Sequence, residues 1–169
     1  MVRPAALSDA HEIAQVQTLG WQTAYRGILP DAFLDSLDTP ERESRWRKQL
    51  EEDDCVWVYQ DETSGQVTGF ADCRFVHAAD GRPYQGYDCE ICALYVHPAW
   101  QRRGIGSALL AAAITYFRAA GKRHMIIYCL EKNRAGRAFY EAMGGEAAAS
   151  MRRAIGGVML TEIGFAFDL

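Results

Sequence analysis

The chain has 169 residues, 18 Lys and Arg against 22 Asp and Glu, a net charge of −4, and 49% hydrophobic residues. That size and apolar content predict one globular domain, able to bury roughly 70% of its extended surface without disulfides or metal. They exclude disorder and repeat architectures, and the acidic balance argues against a nucleic-acid partner, which would want a basic face.

The opening Met1-Val2-Arg3-Pro4-Ala5-Ala6-Leu7 carries one cation and no apolar stretch, so no secretory leader is expected. Ala108 to Phe117, the longest weakly polar run, is about half of what a membrane span needs. A soluble, cytoplasmic protein with no membrane partner is expected.

Val2 to Ala6 reads as a first strand. Asp9 and Glu12 have the spacing of a capping box for a helix running toward Gly20. Trp21 to Pro30 is aromatic-rich and ends in breakers, which predicts a short helix and a turn. Asp31 to Leu37 is a further helical piece, and Thr39-Pro40 opens a helix to about Leu50. Cys55 to Gln60 and Gln66 to Val76 predict a hairpin. Ala79 to Asp88 reads as a loop and Cys89 to Val96 as a buried strand. After a loop at Pro98 to Arg103, the residues Ile105, Leu109, Ala113 and Phe117 share one face of a helix from Gly104 to Ala120. Lys122 to Leu130 is a strand, and Asn133 caps a helix to Met143. Strands at Ala147 to Ala154 and Val158 to Phe167 flank the turn Ile155-Gly156-Gly157. This order is a mixed α/β or α+β domain, residues 1–169, with no internal linker.

Cys55, Cys73, Cys89, Cys92 and Cys129 are expected as reduced, buried thiols. Cys89 and Cys92 form C-x-x-C, but residues three apart on a strand face opposite sides, so neither a redox pair nor a metal site is expected.

The stretch Gln101-Arg102-Arg103-Gly104-Ile105-Gly106-Ser107 lies between the buried strand and the amphipathic helix. Two glycines permit a tight turn. The first helical N–H groups then point outward with the positive end of the dipole, a geometry that holds phosphate oxygens. The dinucleotide pattern fails because Leu109 stands where a third glycine would, and the phosphate-loop pattern fails because no Gly-Lys-Ser/Thr follows. Taken alone, the stretch reads equally as an anion cradle or as a tight turn with solvated arginines.

Gln101 to Gly106, following Leu94-Tyr95-Val96-His97-Pro98, resembles the Q/R-x-x-G-x-G/A signature of the GNAT superfamily of acetyl-CoA-dependent N-acetyltransferases. Asn133 to Gly144 is similar to that family's N-x-x-A-x-x-F-Y-x-x-x-G helix. The strand order agrees as well, so the resemblance spans nearly the whole chain. Gly145 departs from the pattern at a packing position where many members carry Phe. The resemblance implies a mostly antiparallel sheet of six or seven strands with a splayed parallel central pair and about four helices. It also implies acetyl-CoA as cosubstrate, no metal, and an acceptor that is a small amine or a peptide.

By that resemblance, the amides of Gln101, Arg102, Arg103, Gly104, Ile105, Gly106 and Ser107 bind the pyrophosphate of coenzyme A. The backbone of Leu94, Tyr95 and Val96 pairs with the pantetheine arm, and Asn133 hydrogen-bonds that arm or the neighbouring main chain. The Leu94 N–H stabilises the charge that develops on the carbonyl oxygen, and Tyr140 protonates the leaving thiolate. Tyr140 also fits simple core packing. Glu90, four residues before Leu94 and on its face by strand alternation, is the candidate base, with an ordered water as the alternative. Trp21, Tyr25, Arg26 and Tyr84 are the acceptor-binding candidates. Asp31, Asp35 and Asp38 read as a solvated face, while the acidic balance slightly favours cationic acceptors. The other functional class is a non-catalytic coenzyme A sensor or interaction module. The last two strands are candidates to pair across a two-fold axis in a homodimer.

Overall fold

Seven strands pair into one open sheet in the computed structural model, which describes residues 1–52, 55–76 and 86–169. They are β1 (Val2–Pro4), β2 (Val56–Gln60), β3 (Val67–Phe75), β4 (Cys89–Val96), β5 (His124–Leu130), β6 (Glu146–Ile155) and β7 (Val158–Asp168). Five helices accompany them: α1 (Ala10–Ala24), α2 (Asp31–Asp35), α3 (Thr39–Glu52), α4 (Ile105–Ala119) and α5 (Arg134–Ala142). The sheet order is β1-β2-β3-β4-β5-β7-β6, and only the central β4–β5 pair is parallel. This is the expected mixed α/β sheet with its parallel centre.

Side-chain alternation sorts the strands between two helical layers. Leu110, Ala113 and Phe117 of α4 are fully buried against Cys73, Cys89 and Ile91. On the opposite face, Ile13, Ala14 and Val16 of α1 and Trp46 of α3 cover Val56, Val58 and Phe70. Each large apolar side chain so buried contributes about 1.5–3 kcal/mol, which fixes the register of the strand beneath it. A third cluster, around Leu29, Leu34, Leu130 and Leu160, joins the end of α1 and α2 to the β6–β7 turn. There Gly156 lies so close to Phe33 that a Cβ would stand 2.7 Å from its ring.

Two central features position the site. The β4–β5 ladder holds only three pairs, Cys89–Met125, Glu90–Ile126 and Ile91–Ile127. On the other side of β4, Asp72 faces Ala93 and Cys73 faces Ile91, so Cys92 is the extra residue of a β-bulge. All five cysteines are free, and Cys92 alone among them is not fully buried. Among the described residues no group of three metal-ligating side chains occurs, and no helix is long and apolar enough to cross a membrane.

The N-terminal segment departs from expectation twice. Helix α1 continues past Gly20 to Ala24, because the bare Cα of Gly20 lets the Tyr95 ring lie against the helix. A Cβ there would stand 2.8 Å from Tyr95 Cδ1. The Asp9–Glu12 capping box does not form. Asp9 instead closes a 3₁₀ turn at Leu7–Asp9, where its carboxylate accepts the Ala6 N–H at 2.7 Å and two Arg3 donors at 2.7 and 2.9 Å. A charge-assisted fork is stronger than a neutral cap, so Arg3 wins the carboxylate. Burial alone would raise Asp9, but these donors outweigh it and hold its carboxyl below the usual range.

Asp9→Asn should therefore cost about 1–3 kcal/mol at neutral pH, measured by chemical denaturation. Because the folded-state pKa is depressed, that contribution is present above about pH 4 and fades as the pH falls below it. A difference between variant and parent that does not shrink in acid would contradict the ion pair.

Candidate active site

Beyond Ile91, β4 and β5 part, and the gap between them is the floor of a cleft of about 620 Å³. Strand backbone groups come in alternating directions. Alternate residues of β4 past the bulge therefore present N–H and C=O toward the cleft with no strand to pair with. Leu94, Tyr95 and Val96 all line it. The Gln101 side-chain amide reaches back to donate to the Val96 carbonyl at 3.3 Å.

One end of the cleft is the turn into α4. Gly104 has φ +79° and Arg102 φ +63°, two left-handed residues that swing the chain into the helix. The first intrahelical bond there is Ala108 N–H to Gly104 C=O at 3.0 Å. The amides of Ile105, Gly106 and Ser107 precede it and have no intrahelical acceptor. Gly106 matters sterically, since a Cβ would press on Phe139 Cζ at 3.3 Å. Gln101, Arg102, Gly104, Ile105, Gly106 and Ser107 all line the cleft. The Gln101 amide N–H instead closes a turn onto Pro98 at 3.4 Å. Arg103 is not in the lining; its guanidinium lies 4.7 Å from the Trp100 ring centroid.

The far wall comes from α5. Asn133 caps it by accepting the Gly136 N–H at 3.0 Å. Gly136 stands where the α5 motif carries alanine, and a Cβ there would meet Asn133 Nδ2 at 2.7 Å and Cys129 Sγ at 2.9 Å. Tyr140 is 7% exposed, packs on Phe165 with centroids 5.6 Å apart, and lines the cleft. Burial pushes its phenol well above the ordinary value. Tyr25, from the end of α1, lines the opposite side and shares a 3.0 Å hydrogen bond with the Tyr95 hydroxyl. Burial likewise raises Tyr25, and pushes Tyr95 up to about 12 against the opposing pull of the Tyr25 hydroxyl and the Arg42 charge.

Glu90 requires a correction. The Cys92 bulge breaks the alternation that predicted a shared face with Leu94. Glu90 lies opposite Arg74 and Ala93 opposite Asp72, while Leu94 lies opposite Ala71 in the α4-facing cluster. Glu90 is therefore on the face of Ala93 and Tyr95, 2% exposed, outside the lining but with Oε2 3.7 Å from Cys92 Sγ. Of the acceptor candidates, Tyr25 lines the cleft. Trp21 packs edge-on against Tyr25 with centroids 5.2 Å apart, and Arg26 pairs with Asp31 and Asp35 at 3.2 and 2.8 Å. Tyr84 lies outside the described residues. Unforeseen from sequence were Gly20, Thr23, Cys92, Tyr128 and Cys129 in the lining. Only Gly20, a glycine inside a helical pattern, carried a signal.

A parallel pair that parts beside a helix N-terminus is an arrangement with relatives. The sequence profile of the acetyltransferase (GNAT) family matches residues 20–145. The chain belongs to the GNAT acetyltransferase family. It is 36% identical over 163 residues to the uncharacterized N-acetyltransferase YuaI of Bacillus subtilis, covering 96% of this chain and 90% of that one. The paiA N-acetyltransferase of Thermoplasma acidophilum, solved with coenzyme A, superposes with a TM-score of 0.73 at 16% identity, covering 100% of this chain and 98% of its own. The acetyltransferase yncA of Salmonella typhimurium, solved with its cofactor acetyl-CoA, gives 0.72 at 25% identity, covering 99% and 92%. The GNAT chain described here is thus an acyltransferase whose fold agrees with its sequence family.

Alkaline spectrophotometric titration should find Tyr25, Tyr95 and Tyr140 of this GNAT protein ionising above the ordinary phenol range, with Tyr95 near pH 12. Since the folded state favours the neutral phenol, stability present below about pH 10 is lost as the pH climbs toward 12. Ionisation of these three near pH 10 without unfolding would contradict the burial.

Proposed function

We propose that this protein transfers an acetyl group from acetyl-CoA to a primary amine, with both substrates bound together. One observation carries the reading: anion-binding amides, an unpaired strand edge and a buried tyrosine hydroxyl converge on one cleft. The residues present fit coenzyme A. The Ile105, Gly106 and Ser107 amides and the Arg102 charge suit its pyrophosphate, and an unpartnered strand edge suits an extended amide-bearing arm. Asn133, by capping α5, fixes the wall that this arm would follow. Acetyl-CoA, when bound, supplies an activated thioester carbonyl.

The chain's own groups then have defined tasks. The Leu94 N–H donates to the carbonyl oxygen as charge builds there, and a fixed backbone donor needs no reorganisation to do so. Tyr140 remains protonated at neutral pH because burial opposes its ionisation, so it is available to donate a proton to the departing thiolate. The amine must lose a proton to attack. Glu90 is one side chain removed from the cleft, behind Cys92, so its carboxylate receives that proton through a water rather than by contact. Five free thiols fit a reducing compartment, the cytoplasm. A homodimer would use β6, which stands at the sheet edge.

Thiol release from acetyl-CoA with pooled primary amines (amino acids, polyamines, aminoglycosides and short peptides) tests this directly. Tyr140→Phe should lower kcat by roughly 10²–10⁴-fold with little change in acetyl-CoA affinity. An unchanged rate would remove Tyr140 from the acid role. Glu90→Gln should lower kcat at neutral pH; an unaltered kcat would leave water alone as the base. Thermal stabilisation by coenzyme A without release from any pool would mark a binding module instead.

A further inference from the structure

The first 52 residues contain five arginines. Four have carboxylate partners: Arg3 with Asp9, Arg26 with Asp31 and Asp35, Arg45 with Glu41, and Arg47 with Glu43. The fifth, Arg42, has none among the described residues. Its guanidinium lies over the Trp21 ring, 4.9 Å from the centroid, and is half-buried where the start of α3 meets the end of α1. Burial draws its pKa down, and the Tyr95 hydroxyl is near enough to pull it back up. Trp21 packs on Tyr25, and Tyr25 shares its hydrogen bond with Tyr95 on the cleft wall. Neither Trp21 nor Arg42 lines the cleft itself; Arg42 ends a chain of contacts that begins at the Tyr25–Tyr95 wall. A guanidinium withdrawn from water but left with unused donors is costly unless an anion meets it. The indole face holds the cation in place yet accepts none of its five N–H groups in the plane of the fork.

We propose that Arg42 holds a carboxylate of the acceptor, so that the amine acetylated belongs to a free amino acid or another small carboxylate-bearing amine. This rests on the N-acetyltransferase reading and narrows its acceptor. It departs from the slight preference for cationic acceptors drawn from net charge. The local field decides here, because the planar fork matches a carboxylate bidentately, whereas the net charge acts only at long range.

The test compares matched acceptors: single amino acids, their C-terminal amides and their decarboxylated amines. For the native protein, kcat/KM should fall about tenfold to a hundredfold when the carboxylate is amidated or removed, mainly through KM. Arg42→Gln should raise KM for the carboxylate form by a similar factor, leave the amide form unchanged, and abolish the discrimination; Arg42→Lys should restore part of it. A merely structural Arg42 would affect both forms equally. Equal or better turnover of amides, decarboxylated amines or polyamines would overturn the proposal. If no acceptor releases thiol, the enzymatic reading fails on its own. Thermal shift of the coenzyme A complex by amino acid against amide, in native protein and Arg42→Gln, then decides the carboxylate site separately, and no difference between them overturns it.

Discussion

Parallel strands β4 and β5 that pair for only three residues and then part are the constraint on which the rest of the molecule depends. Every buried backbone N–H and C=O needs a partner, and a sheet normally supplies it from the next strand. Here the sheet is continuous from β1 to β4 and from β5 to β6, with the ladder abandoned in between. The helices keep the two halves from separating further, since α4 packs on residues of both and the end of α1 clusters with Leu130 of β5 and Leu160 of β7. The helices also present their ends to the gap. The α4 N-terminus brings amides, the C-terminal half of α5 brings Tyr140, and the α1 C-terminus brings Tyr25. An extended ligand with its own amides and a terminal phosphate completes such a sheet.

The electrostatics of the cleft are those of neutral hydroxyls at one side and uncommitted donors at the other. Burial raises Tyr25, Tyr95 and Tyr140, which keeps protons on these groups at neutral pH. Toward α4, the unbonded amides and Arg102 favour negative charge. Arg42 lies over Trp21, outside the cleft lining on the α1 side, and is the positive pole that the proposed acceptor carboxylate would meet. A reaction that brings a polyphosphate in from one end and an amine with a carboxylate in from the other would meet complementary charge at both.

Much of this was legible in the sequence because it is carried by local rules. The strand runs, the apolar stripe of α4 and the Asn133 cap appear where periodicity and capping put them. The two glycine-bearing motifs gave the family, which the profile match over residues 20–145 shows. What was not legible depends on tertiary contacts. The Cys92 bulge has no sequence signature, and it moved Glu90 to the face opposite Leu94. Asp9 was drawn from the helix cap by Arg3, six residues away, whose charge outweighs a local preference. Arg42 could not be told from the other arginines until the pairing of each was known.

The most direct test of the cleft is hydrogen–deuterium exchange with and without coenzyme A. Completion of the open strand edge by the ligand predicts slowed exchange in two places, the β4 amides after Cys92 and the first-turn amides Ile105 to Ser107. The middle of β3, already paired on both sides, should not change. Slowed exchange elsewhere, with those two segments unaltered by saturating coenzyme A, would contradict the account.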